Sequence, residues 1–240
     1  MSYRVSQAVA EEQCLQSRMI RRATFYLSQM SRSTHRTVKL GSARIIACPG
    51  VFHPGVSRST EHFAAWICAQ NIAGRVLDIG TGTGALGIVA SLAGAYAVLF
   101  TDRNPDAIEC AIRNARANGV FPKSEFYLSD HLRGDEGMFD LVLFASPYLW
   151  FEAPATLRER YGDLVYSMFD ARDQAKRDVF RHAKPMLSKK GKLAMQIGSM
   201  SREARLVAYA ETMGLRLLGR YVAKEGREAN IILEFGKQSA

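Results

Sequence analysis

The chain has 240 residues, of which 48% are apolar and 23% are charged, a composition typical of a globular protein with a sizeable core. No apolar stretch reaches the roughly 18 residues that a membrane-spanning helix needs, and the first residues lack the apolar segment of a secretory signal. The four cysteines are scattered without a Cys-x-x-Cys pair, which argues against a disulfide framework and a metal site and favours a cytoplasmic location.

The net charge of +9 is concentrated in the first quarter of the chain. Residues 1–60 hold nine lysines and arginines against two glutamates, whereas the remaining residues are almost neutral. A basic segment beside a neutral body indicates an anionic partner such as RNA, or else a solvated helix face that only aids solubility. No aromatic residues alternate with these basic ones, as they would on an RNA-stacking surface.

The elements before residue 75 are predicted from apolar spacing and from glycine and proline. We expect one or two helices over residues 3–30, two short strands around Gly41, a turn-rich loop, and a helix from about Thr60 to Asn71. Residues 1–50 are therefore predicted to form a basic N-terminal extension that caps the substrate. Residues 51–240 are predicted to form the main domain.

From Arg75 onward the predicted strands and helices alternate. The predicted strands are RVLDIG, YAVLFTD, SEFYLSD, FDLVLFASPY, KLAMQIGS, LRLLGRYVAKE and EANIILEFG. Residues 150–164 read as a long irregular insert, followed by a helical stretch to about Leu187. The alternation predicts a Rossmann-like α/β fold with a mostly parallel seven-stranded sheet and helices on both faces. Only a short turn at Gly226 separates the last two strands, so these two must be antiparallel.

The stretch VLDIGTGTGALG, from Val76 to Gly87, can be parsed in two ways. From Gly82 it spells Gly-x-Gly-x-x-Gly, typical of a dinucleotide site, and from Asp78 it spells Asp-x-Gly-x-Gly-x-Gly, typical of an S-adenosylmethionine loop. Both sites use a glycine-rich turn and an acidic residue after the second strand, here Asp102. Asp78 discriminates, because a buried carboxylate repels a pyrophosphate but attracts the ammonium and sulfonium of S-adenosylmethionine.

With these residues and with the reversed last strand, the chain from about Val51 onward resembles the class I S-adenosylmethionine-dependent methyltransferases. The resemblance implies the cofactor-binding residues Asp78, Gly80, Thr81, Gly82, Gly84, Asp102, Arg103, Asp130 and Ala145. Asp78 and the glycines would hold the methionine end, Asp102 the ribose and Asp130 the adenine amine. A helix or turn cap is the structural alternative for Asp130.

The fourth predicted strand ends in FDLVLFASPYLW, which resembles the Asn/Asp/Ser-Pro-Pro-Tyr loop of methyltransferases that act on amine or amide nitrogens. Release-factor glutamine and ribosomal-RNA guanine N2 methyltransferases carry that loop. Here Ala145 replaces the Asn and Ser146 replaces the first Pro, while Pro147 and Tyr148 match. The resemblance implies that Ser146, Pro147 and Tyr148 act in catalysis, with the Ser146 hydroxyl or backbone carbonyls accepting from the target nitrogen. The missing Asn argues against glutamine methylation of release factors.

Three further residues are candidates for substrate contact. Tyr148 would pack on a planar acceptor, with a core position as its alternative; His53 would act as a general base, with a structural loop position as its alternative. Trp150 opens the insert, whose length suits a segment that closes over the acceptor. The acceptor stays open: a nitrogen in RNA, protein or a small molecule; a secondary metabolite; or no acceptor at all, in a binding subunit without catalysis. The sequence does not indicate the oligomeric state.

Overall fold

The computed structural model describes residues 2–32, 36–129, 137–225 and 228–238. The helices are α1 (Ser2–Ser31), α2 (Ser59–Cys68), α3 (Ala85–Leu92), α4 (Pro105–Ala117), α5 (Ala155–Tyr161), α6 (Gln174–Met186) and α7 (Glu203–Thr212). The strands are β1 (Thr37–Leu40), β2 (Ala43–Ile46), β3 (Arg75–Ile79), β4 (Ala97–Asp102), β5 (Ser124–Leu128), β6 (Phe139–Ala145), β7 (Leu187–Gly198), β8 (Leu215–Glu225) and β9 (Glu228–Lys237). The two strands around Gly41 are confirmed, and the N-terminal segment forms one helix.

Seven strands form one sheet in the order β5-β4-β3-β6-β7-β9-β8. The first five of these strands are parallel, and β9 is antiparallel to both of its neighbours. The predicted Rossmann-like α/β fold with a reversed last strand is thus confirmed. From β3 the chain continues to β4 and β5 on one side of the sheet, and from β6 it continues to β7 on the other side. Open α/β sheets bind ligands at the carboxyl ends of the strands where the order reverses in this way.

Apolar side chains pack on both faces of the sheet. One face packs against α2 and α3, and the other against α6 and α7. The β1–β2 hairpin contributes Leu40, Ala43 and Ile45 to the first of these cores. The hairpin is therefore packed into the main core, and the domain boundary near residue 50 stays a prediction.

Helix α1 packs on the segment that follows β6. Its buried side chains Met19, Ala23, Leu27 and Met30 share one apolar cluster with residues of the insert. The prediction of an irregular insert was wrong, because the insert contains α5 and a short 3-10 helix, Gly162–Ser167, with apolar residues that face this cluster. The helix predicted to reach Leu187 begins only at Gln174.

Cys48 and Cys110 form a disulfide between the loop after β2 and α4. The expectation of no disulfide was wrong for this pair, because the two cysteines lie 62 positions apart in sequence and only the fold brings them together. Within the described ranges, no helix is long and apolar enough to cross a membrane. The same residues contain no group of three His, Cys, Asp or Glu side chains that could hold a metal ion.

Candidate functional site

The loops after β3 and β6 meet at the carboxyl edge of the sheet, because these strands are neighbours and Ile79 pairs with Phe144. Both loops line a cavity of about 620 Å³, termed the first cavity. Its other walls come from the loop before α2, the end of β4, the insert and the start of α6. The two sequence motifs are thus brought to one site.

Residues 80–83 of the glycine loop line the first cavity, whereas Gly84, also predicted to bind the cofactor, is buried against α4 and does not line it. Gly80, Gly82 and Gly84 have φ angles of 61°, 54° and 80°, a region that strains other residues. The Gly82 N–H donates to Asp102 Oδ2 at 2.8 Å, and the Asn104 N–H donates to Asp102 Oδ1 at 2.9 Å. Burial raises the pKa of Asp102, although these two backbone donors oppose the shift. Asp102 therefore fixes the loop as well as lining the cavity.

Asp78 lies near the end of β3, and its carboxylate is almost fully buried beside the start of α3. Its Oδ2 accepts hydrogen bonds from Thr81 Oγ1 at 2.6 Å and from the Gly87 N–H at 2.9 Å. Burial raises the pKa of Asp78 to about 7, with a smaller contribution from the charge of Asp102, and the two hydrogen bonds oppose the rise. Asp78 thus supports the loop and also lines the first cavity.

Acidic side chains dominate the ionisable lining of the first cavity. Among the described residues the lining carboxylates are Asp78, Asp102, Glu152, Asp163, Asp170 and Asp178, and the lining arginines are Arg103 and Arg158. The Arg103 guanidinium lies 4.4 Å from the centre of the Tyr166 ring, another lining residue. Such an excess of carboxylates favours a cationic ligand.

A buried ion cluster holds the wall of the first cavity at the start of α6. Lys176 Nζ lies 2.9 Å from Asp170 Oδ2 and 3.2 Å from Asp173 Oδ1, and the lysine is fully buried. Arg172 and Asp173 both have a φ of 58°, which costs free energy in residues other than glycine. This cluster could not be expected from the sequence, because charged residues in a helical segment usually face solvent.

The loop 145–148 lines the first cavity with all four of its residues. Ser146 is buried; its hydroxyl donates to the Gln196 carbonyl at 2.6 Å, and its N–H donates to the same oxygen at 3.2 Å. The hydroxyl proton is therefore engaged, and the oxygen lone pairs are what Ser146 can offer to an N–H group.

Tyr148 packs its ring against the backbone at Gly198, where an added Cβ would lie 2.7 Å from Tyr148 Cδ1. Burial raises the pKa of Tyr148 to about 12, against the effect of hydrogen bonds with the Ser59 and Ser57 side chains. The phenol therefore stays protonated at neutral pH. Its position suits orientation of a substrate rather than proton abstraction.

The structure places two predicted substrate residues away from the first cavity. His53 is buried, its Nδ1 accepts from the Gly55 N–H at 2.7 Å, and burial lowers its pKa. Trp150 packs edge-on against Phe151, with the Arg202 guanidinium 4.8 Å from its ring centre. Neither residue lines the cavity. Asp130, predicted for the adenine amine, lies outside the described residues.

Sequence reasoning missed two buried amides that connect the site. The Asn114 Nδ2 group donates to the carbonyls of Ile46 at 3.0 Å and Thr83 at 2.9 Å, which ties α4 to the hairpin and to the glycine loop. The Gln196 Nε2 group donates to the Ser59 carbonyl at 2.7 Å. A glutamine within the apolar strand KLAMQIGS is a signal that could have identified the second of these.

The family model and the relatives that match this chain are all described as methyltransferases. The family described as methyltransferase small domain matches residues 42–153. A protein of Methanocaldococcus jannaschii, described as a protein N5-glutamine methyltransferase, is 30% identical over 145 residues. These residues cover 59% of this chain and 71% of that protein. The ribosomal protein L11 methyltransferase of Azotobacter vinelandii is 36% identical over 92 residues, which cover 38% of this chain and 32% of the relative.

Solved structures share the fold. A tRNA methyltransferase of Methanocaldococcus jannaschii superposes with a TM-score of 0.63 at 16% identity, over 87% of this chain and 58% of that protein. The chain thus spans less than two thirds of this structure and about one third of the L11 methyltransferase.

Proposed function

The chain belongs to the class I S-adenosylmethionine-dependent methyltransferases, and from this premise we propose that the first cavity holds the cofactor and that loop 145–148 presents a nitrogen acceptor to it. The observation that carries the proposal is the meeting of the two motif loops in one acidic cavity at the carboxyl ends of β3 and β6. The chain is accordingly an enzyme that transfers a methyl group.

The residues of the first cavity fit this cofactor. Its carboxylates outnumber its arginines, which suits a ligand that carries an ammonium and a sulfonium. Asp78 and the glycine loop would hold the methionine end and Asp102 the ribose, with Thr81 and Arg103 beside them. Glycine at the left-handed positions of the loop lets its backbone approach a ligand closely.

When bound, S-adenosylmethionine supplies an electrophilic methyl group, so that an N–C bond forms as the S–C bond breaks with its electron pair on sulfur. The chain contributes by positioning. The Ser146 oxygen and the Ala145 carbonyl accept hydrogen bonds from the target N–H groups, which fixes the direction of the nitrogen lone pair. Tyr148 holds the planar face of the acceptor, and the departing proton goes to water.

The N-terminal residues take part as a cap in this proposal. Helix α1 is packed on the insert, and the insert itself lines the first cavity. Contact between these segments places α1 behind the wall that would enclose the reacting groups. The names of the relatives suggest a nitrogen in protein or RNA as the acceptor.

Calorimetry with S-adenosylmethionine tests the cofactor site. We expect Asp102→Asn to weaken binding by about 1.5–3 kcal/mol, because a charge-assisted hydrogen-bond acceptor is lost. The matched control is Asp106→Asn, which removes an exposed carboxylate at the start of α4. Binding that Asp102→Asn leaves unchanged, or binding of a nicotinamide dinucleotide in place of S-adenosylmethionine, would contradict the proposal.

A methyl-transfer screen over RNA, protein and metabolite pools then tests catalysis. We expect labelled methyl groups on one pool with the unmodified protein and a loss of label with Asp102→Asn. Cofactor binding without transfer to any of the three pools would instead support a binding subunit that lacks catalysis.

A further inference from the structure

A second cavity of about 590 Å³ lies on the other side of Tyr148. Its walls come from α1, the β1–β2 hairpin, the loop before α2 and the ends of β7 and β9. Phe52, Pro54 and Tyr148 line both cavities and form their common wall. A ligand in the second cavity therefore borders the proposed methyl donor.

The charge of the second cavity is opposite to that of the first. In the described part of the chain its basic lining residues are Arg22, Lys39 and Arg58, and its acidic one is Glu61, which lies 3.0 Å from Arg58. The basic surface continues along α1, where Arg18 and Arg21 are exposed next to Arg22. A positive cavity that opens onto a positive helix suits an extended polyanion.

Aromatic rings line the same cavity. Tyr26, Phe52 and Tyr148 come from three separate segments, so they form no aromatic pattern that alternates with basic residues in the sequence. The Arg22 guanidinium donates to the Tyr26 hydroxyl at 2.7 Å and lies 5.2 Å from the centre of the Tyr26 ring. Aromatic faces beside cations are the combination that binds unpaired bases and their phosphates.

We propose, on the basis of the function proposed above, that the second cavity is the part of the acceptor site that binds a nucleotide of single-stranded RNA next to the methylated one, whose target nitrogen lies in the first cavity. The base packs on the rings of Tyr26, Phe52 and Tyr148. The phosphates on either side of it contact Arg22 and Lys39. Aromatic faces distinguish this ligand from an acidic peptide, which needs the cations but gains less from the rings.

Fluorescence anisotropy with a labelled, mixed-sequence, single-stranded RNA oligonucleotide tests the site over a series of salt concentrations. Arg22→Gln and Lys39→Gln should each weaken RNA binding about fivefold at about 0.1 M salt and flatten the log–log salt slope by about 0.7, as loss of one phosphate contact does. The control Arg113→Gln removes an exposed charge from α4 and should leave both values unchanged.

Stacking of the base on the aromatic rings is tested with two substitutions of Tyr26, one that removes the ring and one that keeps it. Tyr26→Leu should weaken RNA binding at least about fivefold, whereas Tyr26→Phe, which keeps the ring, should restore most of the affinity. The proposal is overturned if RNA binding ignores the Arg22 and Lys39 variants, or if a polyglutamate peptide binds as tightly as RNA with the same losses.

Calorimetry with S-adenosylmethionine separates this proposal from the function on which it rests. The Arg22, Lys39 and Tyr26 variants should bind the cofactor as the unmodified protein does. If neither the unmodified protein nor any variant binds the cofactor, but RNA binding shows the expected losses, the proposed methyl transfer fails and the RNA site stands. Normal cofactor binding with RNA binding indifferent to the variants overturns the RNA site alone.

Discussion

The two cavities share the Tyr148 wall but are built in different ways. The first is lined by two local motifs at the ends of adjacent parallel strands, and its charged lining is mainly acidic. The second collects single residues from α1, the hairpin and the ends of β7 and β9, and its charged lining is mainly basic. If the first cavity holds the cofactor and the second contributes to the acceptor site, as proposed, the cofactor is held by local sequence, whereas the acceptor is selected by segments that only the tertiary fold assembles.

The largest expected effect is a loss of stability on removal of Lys176, the buried cation in the acidic wall of the first cavity. Lys176→Met leaves Asp170 and Asp173 buried without their partner, and it should lower the free energy of unfolding by about 3–5 kcal/mol. Urea denaturation measures this change. The control Lys189→Met removes an exposed lysine from β7 and should change the free energy of unfolding little.

A loss of stability in Lys176→Met no larger than that of the control would show that the acidic wall needs no internal cation. The two cavities would then differ only in the charge of their lining residues. Addition of S-adenosylmethionine should recover part of the lost stability, because a ligand that binds only the folded state stabilises that state.

The next effect concerns the wall that the cavities share. Tyr148→Leu should lower turnover about ten- to hundredfold, because the acceptor loses the ring that orients it, while cofactor affinity stays nearly unchanged. Tyr148→Phe keeps the ring but loses the contacts with Ser57 and Ser59, so it should recover most of the turnover. Steady-state kinetics with the acceptor found in the screen, together with calorimetry, measures both quantities.

Tyr96→Leu serves as the control for this series, because Tyr96 is exposed at the start of β4 and lines neither cavity. A parallel fall of stability and turnover in Tyr148→Leu would identify Tyr148 as a packing residue. In that case the common wall would separate the cavities without orienting the acceptor.

The sequence was sufficient to predict the two motif loops of the first cavity, because each motif is local. Strand–helix alternation fixes a parallel sheet, and the loops after β3 and β6 must then lie at the same edge. Asp78 and Asp102 were found in this way, and both line the cavity. Their second role, holding Gly87 and Gly82 by hydrogen bonds, requires coordinates to be seen.

The second cavity could not be predicted, because no spacing rule joins residues from α1 to residues from β9. Arg22 was counted only as part of a basic segment, and at the first cavity Lys176 lay in a stretch that was predicted only to be helical. His53 shows the converse limit: a loop histidine suggested a base, but the turn at Gly55 binds its Nδ1 and buries the ring. Burial and partner choice depend on the whole fold.

The smallest effect is a pH dependence confined to the first cavity. Burial raises the pKa of Asp78 to about 7, so about half of this carboxylate is protonated in the free protein near neutral pH. A cationic ligand binds better to the ionised form, and its affinity should therefore fall as the pH falls. Between about pH 7.5 and pH 6 we expect cofactor affinity to decrease by up to about tenfold, because the ionised share of Asp78 falls by more than the protonated share of an α-amino group rises.

Asp78→Asn separates this titration from the structural role of the residue. The amide oxygen can still accept from Thr81 and Gly87, so the loop is kept, but the group no longer ionises. Calorimetry should show weaker cofactor binding that is nearly flat over this pH range, with any remaining slope at lower pH due to Asp102, whose pKa burial also raises. RNA binding to the second cavity should be the same in Asp78→Asn as in the unmodified protein, because Asp78 does not line that cavity. An unmodified protein whose cofactor affinity is independent of pH would contradict the role of the Asp78 charge, and a loss of RNA affinity in Asp78→Asn would contradict the separation of the two cavities.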